Sequence, residues 1–328
     1  MKFLKTLTLT ALLFLAGGAT NINNSYINQR LLSIDNSRYA VQNNELKQEG
    51  SQAQPIRFGI VSDIHGEKQK AEKIAKEFSN ENIEAIIIAG DISRHFDDKK
   101  NIPEATEIRD SLIPFLETKK PVYVIAGNHE TKNTYFKTLK ELSQRYDNLF
   151  DLATLKYADL KGVNIFGVSG GTQTPGDGFK IKEQIKSIDS AVFNLDGDPV
   201  LMVSHMPSKF SHEGAIDSVY DIILLKTKKK ITDRHKAEEL IYKGEDFKKI
   251  NFKNEGIKEL TDLVEKNNIN FSVSGHYHMN QGANSLYENI PENEFSERLF
   301  MNPGAAQYDM AGILTINGNK AKYEVLKN

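Results

Sequence analysis

The chain of 328 residues contains neither cysteine nor tryptophan. Without cysteine there is no disulfide framework, no thiolate zinc site, no cysteine nucleophile and no lipid-modified cysteine. Any metal ion must be held by His, Asn and carboxylates. An excess of charge of one sign is lacking too. The 42 Lys and Arg against 44 Asp and Glu leave a net charge of -2, which excludes a chain-wide basic footprint for nucleic acid but not a local patch. What is present is the composition of a globular chain, 39% hydrophobic and 26% charged, enough to bury a sizeable core. The length fits one large domain or two ordinary ones.

The N-terminus reads as an address. Lys2 and Lys5 precede an apolar stretch from about Leu7 to Ala16, followed by Gly17, Gly18 and Ala19. That layout predicts a signal peptide over residues 1–19, cleaved near Ala19, with an uncleaved anchor as the alternative. The stretch is short of the roughly 20 apolar residues that span a bilayer. No transmembrane span is expected after cleavage, and the expected location is secreted or extracytoplasmic, periplasmic where the cell has an outer membrane. Residues 20–54 are rich in Asn, Gln and Ser. Apart from a short amphipathic piece around Tyr26–Leu32, they read as a flexible linker. The folded unit is expected over residues 55–328.

Within that unit short apolar runs alternate with helical spacings. Strands are predicted at 56–62, 84–89, 122–126, 199–204 and 269–274, and a strand pair at 155–158 and 163–168. Helices are predicted at 67–78, 103–116, 131–146, 180–193 and 255–266, with Pro114 expected to end or distort the second. The tail reads as antiparallel strands with a hairpin turn at Asn317-Gly318. Residues 222–250 read as a charged, helical insertion. The alternation argues for an α/β sandwich with much parallel sheet.

The chemistry gathers where strands end. Five strands run into Asp63-Ile64-His65, Gly90-Asp91, Gly127-Asn128-His129, Ser204-His205 and Gly275-His276-Tyr277-His278. Ligands of open α/β sheets bind outside the carboxyl ends of the strands. Five of the eight histidines lie in these clusters, which independent surface or core histidines do not explain. Oxygen of Asp, nitrogen of His and carbonyl of Asn suit Mn, Fe, Zn, Co or Ni. The potential ligands of these clusters, five His, two Asp and one Asn, exceed what one catalytic ion takes and suit two divalent metal ions sharing a carboxylate.

The ordered series DIH, GD, GNHE, SHMP and GHYH resembles the calcineurin-like metallophosphoesterases over about residues 56–326. More narrowly it is similar to a bacterial and archaeal phosphoesterase branch related to cyclic-nucleotide phosphodiesterases, on the loop after GVSGG, the Pro two residues after His205, and the NPG at 302–304. The resemblance implies two facing mixed β-sheets flanked by helices. It implies that Asp63, His65 and His278 hold one metal, that Asn128, His205 and His276 hold the other, and that Asp91 bridges both. A hydroxide between the ions is then the nucleophile. His129 makes no metal bond in that scheme and acts as acid or transition-state stabiliser. Glu130 either orients its neighbours or is a helix N-terminal carboxylate. One phosphatase branch carries an Arg four residues after the bridging Asp. Here that position is His95, with Arg94 beside it, so either could bind the substrate phosphate.

The expected function is phosphodiesterase or phosphomonoesterase action on a small phosphoester substrate. A nuclease of the same family is the enzymatic alternative, and the near-neutral charge weighs against it. A non-catalytic scaffold is the alternative of another class. Lys226, Lys228, Lys229, Lys230, Arg234 and Lys236 of the insertion read as a solvated face, or as an anion-attracting lid over the site.

Overall fold

A computed structural model of the chain describes residues 30–34, 37–42, 45–48, 55–94, 102–188 and 198–326. Three short strands come first, β1 (Arg30–Ile34), β2 (Ser37–Gln42) and β3 (Glu45–Gln48). Strand–helix alternation follows in β4 (Ile56–Val61), α1 (Lys68–Asn80), β5 (Ala85–Ala89), α2 (Glu104–Glu117), β6 (Val122–Ile125), α3 (Lys132–Ser143) and β7 (Leu149–Asp151). Next are β8 (Tyr157–Leu160), β9 (Val163–Val168), α4 (Ile181–Ser187) and β10 (Val200–Ser204). The insertion comprises β11 (Ser218–Leu224), β12 (Lys230–Ile231), α5 (Arg234–Tyr242) and β13 (Phe247–Asn254). The chain ends with α6 (Lys258–Lys266), β14 (Phe271–Val273), β15 (Gly282–Asn284), β16 (Asn289–Ile290), β17 (Leu299–Asn302), β18 (Gly312–Asn317) and β19 (Lys320–Val325).

Among the described residues a six-stranded sheet runs β19-β18-β4-β5-β6-β7 and a ten-stranded sheet runs β1-β2-β3-β8-β9-β10-β14-β17-β15-β16. Successive strand residues point to opposite faces, and because both faces are covered the strand residues divide with that period of two between two buried clusters. Ile56, Phe58 and Ile60, Ala85, Ile87 and Ala89, and Tyr123 and Ile125 face inward. There they meet Ile165, Leu201, Val203, Phe271, Val273 and Met301 of the other sheet. Val61, Ile86, Ile88, Val122 and Val124 point the other way, under Ala71, Ile74, Ala75 and Phe78 of α1, Leu112 and Phe115 of α2, and Leu139 of α3. The outer face of the second sheet, with Phe166, Met202 and Phe300, is covered by Ile181 of α4 and by Leu260 and Val264 of α6. The fold is therefore helix, sheet, sheet, helix: two facing mixed sheets flanked by helices. Each fully buried Ile or Phe of these layers contributes about 1.5–3 kcal/mol through lost apolar hydration.

Several sequence expectations need correction. Residues 30–48, expected within a flexible linker, carry three strands. β1, β2 and β3 form an antiparallel meander, and β3 adds to the second sheet by pairing parallel to β8. Residues 222–250 are not simply helical: β11 pairs antiparallel with β12 and β13, and only α5 of this stretch is helix. The tail is not one antiparallel set, because β17 lies parallel to β14 while β18 crosses to the other sheet and pairs antiparallel with β4. Pro114 does not end α2, which continues to Glu117; the carbonyl it deprives of a partner, that of Asp110, lies on a half-exposed part of the helix. The expected signal peptide lies outside the described residues, as do part of the helix expected to reach residue 193 and the residue His95. No helix of the described residues is long and apolar enough to cross a membrane.

Candidate metal centre

β4, β5 and β6 run parallel in one sheet, with Val61 opposite Ile88 and Ala89 opposite Ile125. β10 and β14 run parallel in the other, with Val203 opposite Val273. Both sets finish at the same edge of the sandwich. Asp63 and His65 follow β4, Asp91 follows β5, Asn128 and His129 follow β6, His205 follows β10, and His276 and His278 follow β14. The loops there are tightly laced. The Asp63 amide donates to the Gly90 carbonyl at 3.0 Å, His65 N–H to the Asp91 carbonyl at 3.0 Å, and Gly275 N–H to the His205 carbonyl at 2.9 Å.

Asp63, His65, Asp91 and His276 all have positive φ, between 48° and 69°. Non-glycine residues enter that region at a cost, and here four of them do so to turn side chains into one space. Gly127 is required by close approach: a Cβ there would lie 2.8 Å from Asp91 Cγ and closer still to its Oδ1.

The polar atoms converge on Asp91. Its Oδ2 lies 3.1 Å from His205 Nε2, 3.6 Å from His129 Nε2 and 3.9 Å from His65 Nε2. On one side, His278 Nε2 is 3.4 Å from Asp63 Oδ1 and 3.3 Å from His65 Nε2. On the other, Asn128 Oδ1 lies 2.9 Å from His205 Nε2 and 3.0 Å from His276 Nδ1. Three donor groups thus form around the centre: Asp63, His65 and His278; His65, Asp91 and His129; and Asp91, His205 and His276. All seven sequence-predicted ligands are brought together. His129 joins them more closely than the resemblance implied, because its ring is within 4.7 Å of that of His65.

The electrostatics fit a cation site. Burial pushes the His65 ring down to about 3, aided by the charge of His129, so the imidazole is neutral and its lone pair is available to a metal. His276 is also pushed well down, by burial first and then by Arg234 and His205. Burial opposes ionisation of Asp91, yet His129 and His205 hold it well below the usual carboxylate range. Burial likewise disfavours charge on His205 and His278. Asp91 nevertheless lifts His205 to about 9, and Glu238 with Asp63 lifts His278 to about 10. Nε2 of each ring faces a carboxylate, Asp91 for His205 and Asp63 for His278, and a cation between the two would compete with a proton there. The donor set, oxygen and imidazole nitrogen without sulfur, fits borderline divalent ions. The groups Asp63, His65 and His278, and Asp91, His205 and His276, could each hold a metal ion.

Outer contacts fix the ligands. His205 Nδ1 is 2.9 Å from the Ala89 carbonyl, which leaves Nε2 to face Asp91. Asp63 accepts from the His276 amide at 3.0 Å. Glu130 is buried: its Oε1 accepts from the Ser93 amide and hydroxyl at 2.9 and 3.0 Å and its Oε2 from Gly127 N–H at 2.6 Å. It ties the loop after β5 to the loop after β6, so the orienting reading of Glu130 holds.

Arg94 does not reach the site as expected. Its guanidinium donates to Glu107 Oε1 at 2.6 Å and to Glu67 Oε1 at 2.7 Å. It is absent from the residues lining the cavity of about 430 Å³ over the metal ligands. That cavity is lined by Thr172 and Gln173 of the Gly-rich loop at 169–178 on one side and by Arg234 and His235 of α5 on another. Sequence reasoning passed over Glu238, which is buried with Oε2 2.9 Å from His278 Nδ1. The only signal for it was the i, i+4 pair Arg234 and Glu238 in a helix.

A family model described as "Calcineurin-like phosphoesterase" matches residues 56–280. The chain belongs to that family, and its class is that of hydrolases acting on phosphoester bonds. A solved structure from Thermus thermophilus aligns with TM-score 0.53 at 12% identity, over 84% of this chain and 100% of that one, which shows the shared fold. A dimetal phosphatase of Danio rerio aligns with TM-score 0.47 at 10% identity, over 83% of this chain and 98% of that one. A novel archaeal phosphodiesterase aligns with TM-score 0.36 at 14% identity, over 82% and 99%. No curated protein sequence matches the chain.

Proposed function

We propose that the protein is a two-metal phosphoester hydrolase that acts on a small substrate held in the cavity above Asp91. The observation that carries this reading is the convergence of seven donor side chains from five strand ends, with the Asp91 carboxylate central to two histidine groups. Divalent ions in such a pair supply Lewis-acid polarisation of the phosphoryl oxygens and acidify a water for in-line attack on phosphorus.

The chain's own residues do the rest. Asp63, Asp91 and Asn128 present oxygen donors on loops locked by backbone hydrogen bonds, so little reorganisation is needed as charge develops. The Glu130 carboxylate holds Asp91 and Asn128 in register through Ser93 and Gly127. His129, 15% exposed at its side chain, faces both Asp91 and the cavity. There its Nε2 can deliver a proton to the leaving oxygen or hold charge on it.

The test is turnover of bis-p-nitrophenyl phosphate and p-nitrophenyl phosphate by the purified protein loaded with Mn, Fe, Zn, Co or Ni. Hydrolysis of one or both is expected, and the preferred ester gives the subclass. No turnover of either with any of the ions overturns the reading.

A further inference from the structure

A phosphoester brings at least one negative charge into a cavity whose lining already contains Asp91 and Glu255. A cationic side chain on the wall would favour binding beyond what metal at the centre supplies. Arg94, the sequence candidate, has its guanidinium on Glu67 and Glu107. Among the described residues lining the cavity, one alone is an Arg or Lys, and it is Arg234. It comes from the insertion.

Its placement is specific. Arg234 opens α5, and the Asp233 side chain caps that helix by accepting from the Lys236 amide at 2.7 Å. The guanidinium carbon lies 5.2 Å from the centre of the Tyr277 ring, and Tyr277 is the residue between the ligands His276 and His278. Nε is 3.8 Å from Glu238 Oε1, while Glu238 Oε2 is 2.9 Å from His278 Nδ1. Glu238 thus spans from the Arg234 side chain to a metal ligand.

The far end of α5 is also pinned. Tyr242 stacks on Tyr308 with ring centres 4.6 Å apart and donates its hydroxyl to Asp309 at 3.1 Å. A helix held at both ends presents the guanidinium with little entropy left to lose on binding. At 23% side-chain exposure Arg234 is sheltered but accessible. Its planar donors suit two oxygens of one phosphate.

We propose that Arg234 is the side chain that grips the non-bridging oxygens of the substrate phosphate, which makes the insertion part of the substrate site. The proposal rests on the phosphoester reading above and adds to it the residue that recognises the anion. The exposed lysines of the insertion line no part of this cavity, so a diffuse basic field is a separate idea with a separate signature.

The experiment uses the full metal-loaded protein and inorganic phosphate as probe. Phosphate affinity is measured by calorimetry, and kcat/KM on whichever nitrophenyl ester is turned over. Arg234→Ala should weaken phosphate binding and lower kcat/KM by about 10- to 100-fold, the contribution of a charge-assisted contact. Metal content should stay at the wild-type value. Arg234→Lys, which keeps the charge without the planar fork, should fall between and covers the case in which the alanine variant does not fold. Lys226→Ala should stay within about two-fold of wild type, whereas a diffuse field would weaken in both variants. Unchanged phosphate affinity in Arg234→Ala overturns the proposal, as does a loss shared equally by Lys226→Ala. A wild-type protein that binds phosphate through Arg234 yet hydrolyses no ester would overturn the function and leave this contact standing.

Discussion

Replacing Gly127 by alanine tests whether close packing holds the site in place. Gly127 lies two residues beyond β6, against the Asp91 loop, and an added Cβ would sit 2.8 Å from Asp91 Cγ and nearer to its Oδ1 and amide. Ordinary contact needs another roughly 1 Å between such atoms. Neither partner gives way easily. Asp91 is buried, accepts from the His129 amide at 3.1 Å and faces His205 Nε2 at 3.1 Å. Gly127 is held by its own N–H to Glu130 at 2.6 Å. Overpacking of this kind costs about 1–3 kcal/mol, which in a chain of this size lowers the melting temperature by roughly 1.5–5 °C. A shift of about 1 Å also exceeds the ~0.5 Å within which a preorganised site functions. Metal affinity should therefore fall by about 10- to 100-fold or more. Thermal melts, metal analysis after dialysis and a calorimetric titration with Mn read these effects. Gly176→Ala, where a Cβ meets nothing within 4 Å, is the control and should change none of them. Wild-type metal affinity and turnover in Gly127→Ala would refute the claim that this approach sets the position of Asp91.

Three further outcomes are expected. Asp151 is buried under Tyr135, whose hydroxyl donates to it at 2.9 Å, and burial pushes its pKa up to about 6 from 3.8. The folded state therefore holds its proton more tightly than the unfolded chain, and this penalty is absent below pH 3.8, grows as pH rises, and is complete above about 6, at about 3 kcal/mol. Asp151→Asn should gain about 1–3 kcal/mol in urea melts near pH 7.5 and little near pH 4, and an equal change at both pH values would contradict the assignment. His129→Ala should keep both metals while kcat falls by roughly 100-fold on an alkyl ester and less on a nitrophenyl ester; loss of an ion would instead make His129 a ligand, as its nearness to His65 and Asp91 allows. We also propose export with cleavage near Ala19, and mass spectrometry of the native protein should find a mature chain starting near Thr20; an intact Met1 on a cytoplasmic species would refute that.

The strands that carry the site were legible because each is a short apolar run broken abruptly by a ligand. Val61 and Ser62 give way to Asp63, Ala89 and Gly90 to Asp91, and Ser274 and Gly275 to His276. The order of those breaks also gave the family. What escaped depends on partners distant in sequence. β1 to β3 are joined to the body by the pairing of β3 with β8, a contact between residues 45–47 and 157–159, which Asn- and Gln-rich composition does not announce. The Lys-rich run of β13 resembles a solvated helix face in composition, but its exposed residues lie on a three-stranded sheet. Arg94 looked available because Glu107 belongs to another element, a helix that the sequence places thirteen residues away and the structure places against it. Glu238 could not be read as a neighbour of His278, 40 residues further on, until α5 was seen to lie across the site.

In the proposed centre the seven side chains from five strand ends hold two divalent ions with Asp91 between them. Equilibrium dialysis against Mn, followed by elemental analysis of wild type and Asp91→Asn, tests it most directly. Two equivalents are expected per wild-type chain, and in Asp91→Asn the loss of much of that metal together with nearly all hydrolysis. Fewer than two equivalents in wild type, or two equivalents with near-normal turnover in Asp91→Asn, would contradict it.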